Sequence, residues 1–219
     1  MNTQKLLVSI SRQISSGGSY IARRIAERLG YRYLDREILR QAAGSLGEKV
    51  GVLERREEKI SEDLEGLRRV LSSGAPELAS APPPSHMIYD KDLFQAETAV
   101  IMKTAEKENA VIVGRCGFHL LQGKPGHVSI FIHASEEFRV ERAMKAHEIT
   151  AENAVAGLRE SDRLKKAYIK AMTGANWTDS LNYHLSLDTG AAGFDRAEEM
   201  ILTLVESVKE RLQGNGFQR

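Results

Sequence analysis

Between residues 11 and 20 the chain reads Ser11-Arg12-Gln13-Ile14-Ser15-Ser16-Gly17-Gly18-Ser19-Tyr20, a small, polar stretch set between an apolar run (6–10) and a segment of helical period (21–29). A strand, a tight turn and a helix start in that order can gather the main-chain N–H groups of Ser15, Ser16, Gly17, Gly18, Ser19 and Tyr20 around one anion, with the helix dipole adding to the attraction. The β-phosphate of a triphosphate is the natural occupant. A Cβ at Gly17 or Gly18 would hold phosphate oxygens away from the backbone. The strict motif Gly-x4-Gly-Lys-[Ser/Thr] is incomplete, however. Aligned on Gly17, it finds Arg12 in place of the first glycine and Gly18 in place of lysine, while Ser19 matches the hydroxyl that reaches a bound magnesium ion. The charge that lysine would bring to the β- and γ-phosphates must then come from elsewhere. Arg12, at the loop's entrance, is the candidate because a guanidinium can hold phosphate at two points. The plainer reading of Ser-Gly-Gly-Ser is a flexible turn between strand and helix.

Other polar residues fall at the ends of apolar runs, where open α/β sheets bind ligands. Asp35 and Arg36 follow Tyr33-Leu34, and Arg115 with Cys116 follows Ala110-Val111-Ile112-Val113-Gly114. Asp35 could cap the next helix or face a ligand, and Arg36 could reach an acceptor phosphate. Cys116 has no identifiable partner base and reads as a buried thiol. His133 has no spaced ligand partners and reads as structural. Further on, Arg159 and Arg163 lie four apart on one helical face, with Asp162 and Lys165 three apart on an adjacent one. Such a face could close over nucleotides as a lid, or be a solvated surface with ordinary salt bridges.

The elements that must position these residues alternate. Short apolar runs at 6–10, 31–34, 110–113, 127–133 and 184–187 read as five strands. Stretches of helical period fall at 19–29, 36–43, 94–107, 135–146, 151–172 and 195–212. This is the rhythm of βαβ units around a buried parallel sheet, hence an α/β fold in one domain spanning 1–219. Residues 45–92 break it. Val50, Leu53, Ile60, Leu64, Leu67 and Leu71 recur at helical intervals, followed by Ala81-Pro82-Pro83-Pro84-Ser85, so a helical insertion with a Pro-rich mobile loop is expected after the second strand. Its plain reading is a solvated hairpin; its sharper one is partner binding or a homodimer contact.

Thirty-one basic residues against thirty acidic ones leave a formal charge of +1, which gives no overall field for a nucleic-acid backbone or an anionic membrane. Any anion site must be local. One cysteine precludes an internal disulfide framework and fits a reducing, cytoplasmic setting. The opening residues pass too quickly into a short apolar run for a signal-peptide core, and no apolar run approaches the roughly 20 residues of a membrane span.

Taken together, Ser-Arg-x-x-x-Ser-Gly-Gly after the first strand, Tyr-x-Asp-Arg-Glu-Ile-Leu after the first helix, Val-Ile-Val-Gly-Arg, Phe-Ile-His-Ala with a following Arg-x-x-Arg, and Asn176-Trp177 leading to Asn182-Tyr183-His184-Leu185 resemble the cytidylate-kinase-like family. The resemblance covers most of the chain outside 45–92. It implies a three-layer P-loop kinase-like fold with a five-stranded parallel sheet flanked by helices, an acceptor-binding arm after the second strand and a lid over 148–175. It further implies ATP and Mg²⁺ as cofactors and nucleotides as substrates. By the same resemblance, Ser16, Gly17, Gly18 and Ser19 form the phosphate loop, with Ser19 near magnesium. Asp35 and Arg36 fall in the acceptor region, Arg115 meets the acceptor phosphate, and Arg159, Asp162, Arg163 and Lys165 lie in the lid. Lysine-free glycine loops are a familiar variation in the family. Two departures bear on the acceptor: cytidylate kinases have Gly-Arg-Asp where this chain has Gly114-Arg115-Cys116, and Lys165 stands where relatives tend to carry arginine.

Overall fold

Buried parallel strands lack a polar face, and Ala110–Val113 shows why: Ala, Val, Ile and Val are all fully buried. In the computed structural model, which describes residues 4–46 and 91–214, this segment is β3 of one parallel sheet. The others are Leu7–Arg12 (β1), Arg32–Leu34 (β2), His127–His133 (β4) and Leu185–Asp188 (β5), in the order β2-β3-β1-β4-β5. The helices are Gly18–Leu29 (α1), Arg36–Leu46 (α2), Lys91–Lys107 (α3), Gly117–Leu120 (α4), Glu136–His147 (α5), Ala151–Thr173 (α6), Thr189–Ala192 (α7) and Phe194–Leu212 (α8). All five expected strands and six expected helices are present, with shifted ends. β1 runs two residues past Ile10 because Ser11 and Arg12 keep their pairing with Phe131 and Ile132 of β4. The one-turn helices α4 and α7 carry too few residues to show a period and were not expected.

Alternation along the strands assigns the two faces of the sheet. Val8, Ile10, Val111, Val113, Val128, Ile130 and Ile132 pack against Ile21, Ala22, Ile25 and Ala26 of α1 and Ala197, Ile201, Val205 and Val208 of α8. On the opposite face Leu7, Ala110 and Ile112 pack against Ile38 of α2 and Ile101 and Ala105 of α3. Gly30 ends α1 in the left-handed region, φ 64°, its N–H returning to the carbonyls of Ala26 and Glu27. In the contact between α1 and α8, the carboxylate of Glu198, fully buried, receives both Arg24 and Arg28. The orientation of α1 is thereby tied to the last helix.

The topology also places a crevice. The chain leaves β1 for α1 on one face and leaves β3 for α4 on the other, so the connections after these adjacent strands diverge at their carboxyl ends. Ligands bind at such switch points in open α/β sheets. The helical arm expected over 45–92, with its Pro-rich loop and its homodimer contact, falls almost wholly outside the described residues. Among those described, no helix is long and apolar enough to cross a membrane.

The second face carries polar atoms that need explaining. Ser9 Oγ and His127 Nε2 are 2.8 Å apart and buried, and Ser129 Oγ lies 2.8 Å from His184 Nδ1. Burial, with His184 nearby, pushes the His127 imidazole down to about 4. Its unfolded value is about 6.5, so the stabilisation from holding it neutral is complete above that pH and is lost as pH falls toward 4. We expect about 2 kcal/mol less stability at pH 5 than at pH 7 from this residue. Urea unfolding at the two pH values measures it, and a His127→Gln variant with the same pH dependence as wild type would contradict the assignment.

Candidate phosphate-binding site

The turn between β1 and α1 is built by backward-pointing bonds. Gln13 N–H donates to the Ile132 carbonyl at 3.0 Å, extending the β1–β4 ladder by one bond beyond Arg12. Ser16, fully buried, donates its hydroxyl to the Gln13 carbonyl at 2.8 Å and lies 3.3 Å from that of Ile132. Ser15 and Gly17 adopt the left-handed region, φ 60° and 84°. The carbonyl of Ser15 accepts from Arg142 Nε at 3.1 Å and that of Ser16 from the Thr189 hydroxyl at 2.6 Å. Two oxygens that would repel an anion are thus engaged from outside the turn. α1 starts at Gly18 with no side-chain cap and no acid in its first turn, leaving its opening amides to the positive end of the dipole.

Glycine is required here for reasons other than the expected approach of phosphate. A Cβ on Gly17 would fall 2.5 Å from the ring of Phe194, and one on Gly18 would fall 2.5 Å from Arg12 Cβ. Phe194 also packs against Tyr20 with the rings tilted and their centroids 5.8 Å apart, while the Arg142 guanidinium lies 4.6 Å over its ring.

Arg12 occupies the crevice beside β3. Its Nε points to Ser19 Oγ at 3.4 Å and its Nη2 lies 3.9 Å from Asp35 Oδ1. Asp35 in turn accepts from the Tyr33 hydroxyl at 3.1 Å; burial, together with that carboxylate, pushes the phenol up to about 12. Arg115, in the left-handed region at φ 51°, pairs with the buried carboxylate of Glu97 at 2.7 Å. Burial pulls its guanidinium down to about 10, so it remains cationic at neutral pH. From α6, Lys165 Nζ reaches the Arg12 carbonyl at 3.5 Å and lies 5.5 Å over the Trp177 ring. Asp162 receives Gln13 Nε2 at 3.0 Å and pairs with the buried Arg139 at 3.0 Å. Among the described residues no three His, Cys, Asp or Glu side chains cluster as a metal cage.

The structure therefore brings together the turn 15–20, Arg12, Asp35, Arg115, Asp162 and Lys165. It leaves others outside. Arg36 is exposed at the start of α2. Arg159 forms a surface pair with Glu136, and Arg163 with Glu160. His133 lies 4.0 Å from Asp188, within the α7 entry turn. Cys116 is buried among Phe118, Phe131, Ile169, Trp177 and Tyr183. Sequence reading missed Gln13, Glu97, Arg139, Arg142, Thr189 and Phe194. Glu97 was detectable, as a carboxylate on the stripe Leu93, Ile101, Thr104 and Ala105 that α3 buries. Arg139 and Arg142 stood in a noticed Arg-x-x-Arg without a role.

Comparison with known proteins identifies the fold and the family. No curated protein matches the chain. Among solved structures, an uncharacterized protein from Eubacterium ventriosum is 23% identical, with TM-score 0.67 over 93% of this chain and 99% of that one. A shikimate kinase from Acinetobacter baumannii in complex with shikimate is 12% identical, with TM-score 0.52 over 94% and 95%. A shikimate kinase from Bacteroides thetaiotaomicron is 9% identical, with TM-score 0.53 over 92% and 98%. At these identities the likeness establishes the fold, that of P-loop kinases. The model of the cytidylate kinase-like family matches residues 7–191, from the first residue of β1 through the short helix α7, and the chain belongs to that family.

Proposed function

We propose that this protein transfers the γ-phosphoryl group of ATP to a nucleoside monophosphate or a similar small acceptor. The observation that carries the reading is the convergence of an uncapped helix start with three cations, Arg12, Arg115 and Lys165, at one edge of the sheet. The amides of the 15–20 turn hold the β-phosphate, and Asp35 and Arg115 face the acceptor. Phosphoryl transfer asks the protein mainly for positioning and charge balance. An acceptor oxygen bonds to the γ-phosphorus while the bond from that phosphorus to the bridging oxygen breaks, and the electron pair leaves with ADP. The acceptor phosphate is already a nucleophile, so no general base is needed.

Ser19 Oγ, at the head of α1, would be the side chain that holds Mg²⁺, with phosphate oxygens and water supplying the remaining ligands, the usual pattern for magnesium in phosphotransfer sites. When bound, the ion neutralises charge on the phosphates. Arg12 Nε now faces that hydroxyl at the edge of hydrogen-bond range, and its lone pairs allow both.

A second reading, a nucleotide-binding regulatory protein that has lost catalysis, is favoured by glycine at the lysine position and by Arg159 and Arg163 lying in surface ion pairs. A coupled assay with ATP, Mg²⁺ and a panel of monophosphates, with shikimate added, separates the two. Turnover with one acceptor is expected; a nucleotide-induced rise in melting temperature without turnover would select the regulatory reading.

Cys116 takes no part in this chemistry. Burial, then the nearby Glu97, pushes its thiol up to about 12. We expect it to resist a disulfide reagent at pH 8 in the native state and to react at once in denaturant; rapid native labelling would restore it as a candidate nucleophile.

A further inference from the structure

The helix of a strict phosphate loop opens with a lysine at the position Gly18 holds here, and the structure supplies a reason that no lysine can stand there. A Cβ on Gly18 would fall 2.5 Å from Arg12 Cβ and 3.0 Å from Arg12 Cγ. Gly18 lies in the first turn of α1 outside the left-handed region, so its backbone would accept any residue. Only space forbids a side chain. Across the crevice, a Cβ on Gly114 would fall 2.6 Å from Arg12 Nη1. Two glycines, one from the turn after β1 and one at the end of β3, form the walls of a slot that the Arg12 side chain fills.

The contacts of Arg12 differ from those of the structural arginines nearby. Arg115 is 2.7 Å from Glu97, and Arg159 holds Glu136 through two bonds of 2.7 and 2.8 Å. Arg12 has only long contacts to Ser19 and Asp35, and its side chain is 23% exposed. A guanidinium held in a slot but with its hydrogen bonds incompletely closed is placed to receive an oxyanion.

We propose that Arg12 is the phosphate-contacting cation of this site, occupying the volume that a lysine at position 18 would need, and that Gly18 and Gly114 serve to admit it. The inference rests on the kinase reading above. Arg12 balances charge on the phosphate oxygens while the γ-phosphorus exchanges one oxygen partner for another.

The test measures MgATP and MgADP binding to the full chain by calorimetry, beside turnover. Arg12→Ala is expected to weaken MgATP binding roughly tenfold or more and to lower turnover roughly 100-fold, the scale of losing one stabilising donor. Arg12→Lys should recover part of both, because it keeps the charge and loses the two-point geometry. Gly114→Ala, which crowds only the movable Nη1 tip, should reproduce a smaller part of the loss in wild type and add little in the Arg12→Ala background, where no Nη1 remains to be displaced. Should strain at φ 73° keep the Gly114 variant from folding, the Arg12 pair decides alone. Wild-type binding with an unaltered Arg12→Ala overturns this inference and leaves the kinase reading standing. A wild type that binds neither nucleotide overturns both.

Discussion

At the carboxyl end of β1 there is room for one long side chain between the start of α1 and the end of β3, and Arg12 fills it from the strand side. Because Arg12 continues the β1–β4 ladder, its Cα is fixed by the sheet and its side chain must rise past Gly18. That geometry requires a glycine at the head of α1 and a cation source distinct from the helix. The glycine after β3 borders the same side chain but is set first by its own φ of 73°. The same constraint explains why the turn can lack lysine without leaving a void: the space is already packed.

Around this point the turn is held by residues far away in the chain. Thr189, at the start of α7, reaches the Ser16 carbonyl, and Arg142 of α5 reaches that of Ser15. Gln13 and Asp162 join the turn to α6, and Glu198 fastens α1 to α8 through two arginines. A glycine-rich turn on its own would sample many conformations; bonds from three separate helices select one. The order of the turn thus comes from outside it, from elements whose own positions are fixed by the two apolar clusters on the sheet.

Much of the fold was legible because parallel strands and their covering helices announce themselves by period and composition. Val111-Ile112-Val113 and the Ile21, Ala22, Ile25, Ala26 face of α1 are unambiguous on those grounds. Within the site, the turn and Arg12 were legible because they are local. Thr189 and Phe194 were not, since each acts on a partner far off in the chain, 173 residues away for Thr189, that period and spacing do not identify. Arg159 and Arg163 share a helical face, as their spacing requires, and in this structure that face looks to solvent while the Asp162 and Lys165 face meets the turn. Spacing fixes which residues share a face and leaves open which face is inward.

The charges that do face inward come largely with partners, and this bears on how the site could work. Arg115 and Arg139 are both deeply placed, and each is matched by a carboxylate, Glu97 and Asp162 respectively. Removing one member of such a buried pair costs about 3–5 kcal/mol, because the remaining charge is stranded. Glu97 and Asp162 are therefore needed for stability whatever the chemistry, and a cation so matched has less attraction left for an incoming phosphate. Arg12 differs, since its carboxylate neighbour stands 3.9 Å away at the rim of the crevice. A phosphate arriving there gains a charge-assisted hydrogen bond from Arg12 at little cost in contacts broken. The asymmetry leaves Arg139 to the scaffold and gives Arg12 the freer position from which charge can be offered to a ligand.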